Sequence, residues 1–551
     1  MRQSMLVIAI VFTLHSPSAL AQKLSTKEAI VRYALNVQVR AADKRIEVEG
    51  TMRIPAVKLP RAFIELSLSE LMRDLRVEVL KPNANTSAVS VETTRAGGET
   101  NHDIIYRVQP SKPFPKGEDI ELKFSCSSVG KMGLMFYVGP EVTFASAYGT
   151  IWYPQVSERS RGIGSLKISV PVGEKAIASG ERRSSIDEEA QGTFRFENNY
   201  PAYLSFAAGK YIVTRREGAI PVSAFLLRSR PNMPEYLEGV HKMLKVLVAE
   251  FGRYHFKEFA LVEVPRELAR KSGFNAATPQ GFAYINSNAF NVSPSAFHVL
   301  LEWYGHEFSH EWWPHVVSIK RPGGRFTEES LAEYGGLRAV ETLAGPAAAE
   351  RYRRNGYEPD PIYSAFAYFK LVNEGIDGPL SDLPADEKFR DVAYNKGFFV
   401  WDMLSHEIGT RKFQRILRNV TRRYAFQRLT IKELWRAIEA NAGRDLSWFY
   451  KQWFERTGAP DFHLTWKQEG TVVHGTITQM APYYRATLEV EFAGDDEQRF
   501  SRSVRVNGPQ TKFALTARFR VGSVTLDPHY LVLRWTPEYR TVGSNLRSLH
   551  R

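Results

Sequence analysis

Gly305-His306-Glu307-Phe308-Ser309-His310-Glu311-Trp312-Trp313 holds two histidines four positions apart, with a glutamate beside the first. Upstream, Ser293 and Pro294 offer an N-cap and a favoured first helical residue, and the apolar spacing of Phe297, Val299, Leu300 and Trp303 predicts a helix running into the motif. On a helix, positions i and i+4 project from one face about one turn apart, so His306 and His310 can ligate a single ion at about 2.0 to 2.1 Å. A catalytic zinc needs a third protein ligand and one open position.

Eighteen residues separate His310 from Glu329, in Thr327-Glu328-Glu329-Ser330-Leu331-Ala332-Glu333-Tyr334. Thr327 is the expected cap of a helix reaching about Leu343, which puts Glu329 in its first turn. The loop Lys320-Arg321-Pro322-Gly323-Gly324 breaks the first helix, so the second can fold back antiparallel and bring Glu329 to the ion. His306, His310 and Glu329 form an N/N/O donor set that suits Zn²⁺, one ion per chain. Glu307 is the expected general base, taking a proton from a metal-activated water that attacks a carbonyl. Two roles are open to Glu333, one turn further on: orienting a ligand histidine, or lying exposed on the helix.

Outward from this centre, the chain of 551 residues and 62.6 kDa is long enough for several cores. Its 43% hydrophobic and 24% charged content is that of a globular protein. Period-two stretches such as Val31–Val39 and Arg45–Arg53 predict a β-sandwich-like domain over 22–220. After Pro221 the spacing lengthens to three and four, as in Tyr236–Glu250, predicting a mainly helical catalytic domain over 221–458. Alternation returns beyond Gly458-Ala459-Pro460, predicting a C-terminal β-sandwich over 459–551. The fold class is therefore multidomain α+β.

The amino end, with Arg2, an apolar run from Met5 to Leu14 and Ala19-Leu20-Ala21, has the pattern of a signal peptide over 1–21, with the mature chain starting at Gln22. An uncleaved anchor is the alternative reading. The expected location is periplasmic or secreted, with no membrane span further along. A charge of +13 spread without basic runs argues against nucleic acid as a partner. The single cysteine, Cys126, excludes an intramolecular disulfide framework and a cysteine zinc cluster, and its setting reads as an ordinary strand.

The spacing H-E-x-x-H, eighteen residues, E resembles the signature of the aminopeptidase N family of gluzincin metallopeptidases. Ile151-Trp152-Tyr153-Pro154, Ala393-Tyr394-Asn395-Lys396-Gly397 and Trp453–Pro460 are similar to further family segments, so the resemblance spans most of the mature chain. It implies a thermolysin-like catalytic domain, a peptide substrate, and a role for the Tyr394 phenol in stabilising the oxyanion beside zinc. One segment departs from the pattern. The family's exopeptidases carry G-x-M-E-N, whose glutamate anchors the substrate's free amine; alignment on Gly281 puts Thr278 at that position. Glu263 and Glu267 are the candidate replacement carboxylates. The family's large members also carry a helical superdomain over the site, and the expectation here is a more open cleft.

The reading is a zinc-dependent metallopeptidase, aminopeptidase-like with altered amino-terminus recognition. Its rivals are an aminopeptidase with another amine anchor, and a catalytically silent peptide-binding or scaffolding protein on the same fold.

Overall fold

Strict alternation at the amino end becomes strand: Val31–Arg40 and Arg45–Ile54 bury every second side chain. The structure, a computed structural model, describes residues 30–56, 60–82, 90–95, 103–156, 160–356, 364–384, 386–494 and 498–540. The expected signal segment 1–21 lies outside the described residues. Val31–Arg40 sits inside a seven-stranded sheet, antiparallel to Arg45–Ile54 and parallel to Gly162–Ser169. Two four-stranded sheets accompany it. Trp152 and Tyr153 lie in the shared core, where the Trp152 indole donates to the Leu204 carbonyl at 3.1 Å. Cys126 is buried in the strand Ile120–Ser128, and burial pushes its thiol up to about 12, which leaves it inert as a nucleophile.

The helical pattern expected from 221 onward is interrupted by a five-stranded sheet. Its strands lie in the order Ile212–Arg216, Val222–Leu226, Phe259–Val264, Phe282–Asn286 and Ala276–Ala277. The middle strands pair in parallel and every residue of each is buried, so they read as short apolar runs with no alternation. Ile212–Arg216 pairs with Val222–Leu226 across position 220, where the sequence suggested a division. Phe144, Tyr211, Phe225, Val262 and Tyr284 form a cluster joining this sheet to the amino-terminal strands. The Tyr284 phenol donates to the Phe206 carbonyl at 2.7 Å. At one edge, among the described residues, the short strand Ala276–Ala277 pairs only with Phe282–Asn286.

Three helices carry the site. The motif helix is Leu301–Ser309, entered through a separate 3₁₀ segment, Pro294–Leu300, which Ser293 caps by accepting from the Ala296 N–H at 3.3 Å. His310 is the helix's C-cap and keeps helical backbone angles, φ −60° and ψ −20°, so the i, i+4 spacing survives. The glutamate helix is Gly324–Ala344, and its start corrects the sequence reading. Gly323, at φ 90°, turns the chain into the helix before Thr327, a conformation that glycine adopts without steric cost. Thr327 is thus inside the helix, its hydroxyl donating to the Gly323 carbonyl at 2.8 Å, and Glu329 lies in the second turn, not the first. The tyrosine helix is Arg390–Ile408.

Two three-stranded sheets follow, Phe462–Glu469 with Val472–Gln479 and Gln510–Thr516, and Arg499–Val506 with Ala486–Gly494 and Val521–Leu526. Phe492 of one meets Phe513 of the other at 6.3 Å between ring centres. Among the described residues, no helix is long and apolar enough to cross a membrane.

Candidate metal centre

Small residues let the motif and glutamate helices approach closely enough for their side chains to converge. A Cβ on Gly305 would lie 2.8 Å from the Gly336 Cα and 2.9 Å from the Ala339 Cβ; one on Gly336 would lie 2.9 Å from the Glu302 carbonyl oxygen. His306 meets Glu333 while His310, one turn on, faces Glu329, one turn back, so the packing is antiparallel. The tyrosine helix is drawn in the same way: a Cβ on Gly397 would meet the Ser330 Cβ at 2.4 Å.

The result is a triangle of donor atoms. His306 Nε2 lies 3.2 Å from His310 Nε2 and 3.6 Å from Glu329 Oε2, and the His310 to Glu329 edge is 3.7 Å. Ligands at about 2.0 to 2.1 Å around a tetrahedral ion stand about 3.3 Å apart, so the triangle matches one face of a zinc site. Glu329 Oε2 is buried without a hydrogen-bond partner, as a carboxylate oxygen meant for a cation would be.

The neighbouring groups fix how each ligand faces the centre. The His306 Nδ1 lies 2.7 Å from Glu333 Oε2, and His310 Nδ1 lies 2.8 Å from the Trp313 carbonyl oxygen. These partners accept the Nδ1 proton of a neutral imidazole, so both Nε2 lone pairs face the centre. Glu333 is fully buried, and its other oxygen accepts from the Tyr352 phenol. This settles the two roles left open for Glu333 in favour of histidine orientation.

Burial works to depress the His306 imidazole, yet the neighbouring carboxylates of Glu329 and Glu333 lift its pKa well above the ordinary histidine value. Burial likewise opposes ionisation of Glu329, but His306, His310 and the Tyr394 phenol hold its carboxyl down to about 2. A carboxylate held ionised beside two histidines gives the centre the negative charge that a divalent cation needs. The Tyr394 ring stacks on His306 at 5.5 Å between centres.

Glu307 is buried beside His306 and accepts a hydrogen bond from the Thr278 hydroxyl at 2.9 Å on Oε2. Sequence reasoning singled out Thr278 but missed this bond, and it missed two residues just past the motif. His315 is buried, which lowers its pKa to about 4, and its neutral ring donates from Nε2 to the Thr278 carbonyl at 2.7 Å. Both oxygens of Glu311 accept from the Gly281 N–H, at 3.0 and 3.2 Å. Their closeness to H-E-x-x-H was the available signal.

The two candidate amine anchors are engaged elsewhere. Glu263 is buried on Arg230 at 2.6 Å and the Leu227 N–H at 2.9 Å; Glu267 pairs with Arg270 at 3.2 Å on an exposed helix. Lys396 is buried, donates to the Arg456 carbonyl at 3.0 Å, and so ties the tyrosine helix to the segment leading to Pro460.

Comparison with known proteins agrees with this geometry. The peptidase family M1 domain matches residues 287–453, which contain both histidines, Glu307, Glu329 and Tyr394. Over this stretch the chain is similar to the M1, or aminopeptidase N, family.

The chain is 21% identical over 371 residues to probable aminopeptidase 1 of Sulfurisphaera tokodaii, an overlap of 62% of this chain and 45% of the relative. It is 22% identical over 328 residues to aminopeptidase N of Lactococcus lactis, covering 54% of this chain and 36% of that one. The chain therefore spans less than half the length of these relatives. Among solved structures, aminopeptidase A of Legionella pneumophila in complex with aspartic acid superposes with a TM-score of 0.70 at 13% identity, over 94% of this chain and 60% of that one. The M1 zinc metallopeptidase of Deinococcus radiodurans gives 0.59 at 16% identity, over 78% of this chain and 94% of that one.

Proposed function

We propose that the chain is a zinc-dependent metallopeptidase that hydrolyses peptide bonds, with one zinc per chain held by His306, His310 and Glu329. The observation that carries the reading is the triangle of 3.2, 3.6 and 3.7 Å with Glu307 adjoining it. The relatives named above are aminopeptidases, and a related structure holds a Tyr-Ser-Ala substrate, which supports a peptide as substrate.

Zinc, when bound, supplies Lewis-acid chemistry and lowers the pKa of water toward about 7. Glu307 takes the proton of the attacking water and passes it to the departing amine, so the C–N bond breaks without releasing a free amide anion. The Tyr394 phenol donates to the oxyanion that develops on the carbonyl oxygen, an interaction strongest in the transition state. Glu333 and the Trp313 carbonyl keep the histidine rings oriented through this cycle. The edge strand Ala276–Ala277 is a place where an extended peptide can pair.

Recognition of the peptide's amino terminus is altered in this reading. Thr278 carries no charge, and the carboxylates of Glu263 and Glu267 are taken by Arg230 and Arg270. Peptides with blocked amino termini are therefore accepted alongside free ones. Mass-spectrometric cleavage mapping of one peptide mixture, free and N-acetylated, tests this. The expected result is cutting of both forms, lost by about 10²- to 10⁴-fold in Glu307→Gln with zinc content unchanged. Cutting of free peptides alone would restore the aminopeptidase reading, and activity unchanged in Glu307→Gln would remove the peptidase reading altogether.

A further inference from the structure

We propose that Thr278 is a positioning residue for the general base: its hydroxyl holds the Glu307 carboxylate, and His315 in turn holds Thr278. The inference rests on the peptidase reading above and assigns a task to the residue that departs most clearly from the family pattern.

Three bonds fasten the segment Thr278–Gly281 to the motif region. The Thr278 Oγ1 donates to Glu307 Oε2 at 2.9 Å, the His315 Nε2 donates to the Thr278 carbonyl at 2.7 Å, and Glu311 accepts from the Gly281 N–H at 3.0 Å. His315 and Glu311 are buried, and Pro279 between the fastened positions restricts the backbone further. The hydroxyl therefore reaches Glu307 from a backbone that cannot easily swing away. A carboxylate on a flexible side chain has a terminal torsion with broad, roughly two-fold freedom. A donor fixed on one oxygen removes that freedom and leaves the other oxygen to meet the water proton. A threonine also cannot pair with an ammonium as a carboxylate does, so one substitution removes the amine anchor and supplies a support for the base.

The test compares the full-length, zinc-loaded protein with Thr278→Val, which keeps the shape and removes the donor, and Thr278→Ser, which keeps the donor. Two readouts run together: steady-state kinetics on one peptide with free and acetylated amino termini, and crystal structures of each zinc-loaded variant. Thr278→Val is expected to lower kcat by about 10- to 100-fold on both peptides with KM unchanged, and Thr278→Ser to return it to within about threefold. In the crystals, the Glu307 carboxylate is expected to keep its orientation in Thr278→Ser and to turn in Thr278→Val. A Thr278→Val protein with wild-type kcat overturns the proposal, as does a change confined to KM for the free-amine peptide. If wild-type protein cuts neither peptide, the peptidase reading fails separately. The crystal comparison then decides alone, and an unmoved Glu307 in Thr278→Val overturns the positioning role.

Discussion

At the level of single residues, Glu333 is the clearest case of a side chain whose role follows from its surroundings. A carboxylate with no exposed surface, bonded to His306 on one oxygen and to Tyr352 on the other, is held against desolvation by these two partners. Its effect on the centre is exerted through the His306 ring. Glu333→Gln retains the shape and removes the charge, and is expected to weaken zinc binding about 10- to 100-fold, measured by competition with a chelator. Unchanged affinity would mean that the helices alone orient His306. The convergence of His306, His310 and Glu329 was legible from the sequence because i, i+4 geometry is local, and the spacing to Glu329 matched a known pattern. The Glu333 contact was visible only as an option, because whether a residue one turn beyond Glu329 faces the centre depends on how two helices cross. Thr278 to Glu307 was not visible at all, since it joins positions 29 apart through a loop conformation.

At the level of elements, the helices around the centre are locked by charges as well as by glycines. Arg353 of the helix Pro346–Asn355 donates to Asp402 of the tyrosine helix at 2.7 Å, with the two side chains 4% and 1% exposed. Burial opposes ionisation of Asp402, but Arg353, His406 and Arg338 hold its carboxyl below the usual carboxylate range. A folded-state pKa below the unfolded value of about 3.9 stabilises the fold at higher pH, and the contribution is lost as pH falls through the folded value. Asp402→Asn leaves a buried guanidinium without its counter-charge and is expected to cost about 3 to 5 kcal/mol at neutral pH. Urea unfolding of the metal-free proteins is expected to show this gap narrowing below about pH 4, as wild type loses its own contribution. A gap independent of pH would mean that the loss comes from packing. Helix ends and sheet strands illustrate why sequence patterns stop short here. Thr327 looked like a cap, yet the glycine at 323 could adopt a left-handed turn and start the helix earlier. Strands such as Phe259–Val264 lack alternation because both their faces are buried, which is a property of the layers above and below them.

At the level of the whole molecule, the helices of the centre and the C-terminal sheets belong to one apolar cluster, which includes Phe308, Leu331, Trp401, Trp453, Val490 and Phe492. Contacts near the end of the described chain return to the helical region. Trp535 and Tyr539 meet Phe369 at 4.3 and 5.0 Å between ring centres, Glu538 pairs with Arg354 at 2.6 Å, and Tyr484 lies against Trp453 at 5.3 Å. The Gln452 side chain also exchanges two hydrogen bonds with the backbone of Arg485, at 3.0 and 2.8 Å. The alternating pattern after Pro460 made these segments legible as strands, but not this shared core, because alternation records one buried face without naming what covers it. A chain ending at Pro460 would expose Phe369, Trp453 and their neighbours, large aromatic surfaces whose burial contributes about 1.5 to 3 kcal/mol for each side chain. That chain is expected to aggregate or to unfold at lower denaturant and to lose its zinc. In the full-length protein, zinc release and loss of tryptophan signal are expected to coincide in one transition over this half of the molecule. A truncated protein that kept stoichiometric zinc and the wild-type midpoint would mean that the C-terminal sheets form an independent unit, and that the aromatic contacts across the junction add little to the stability of the centre.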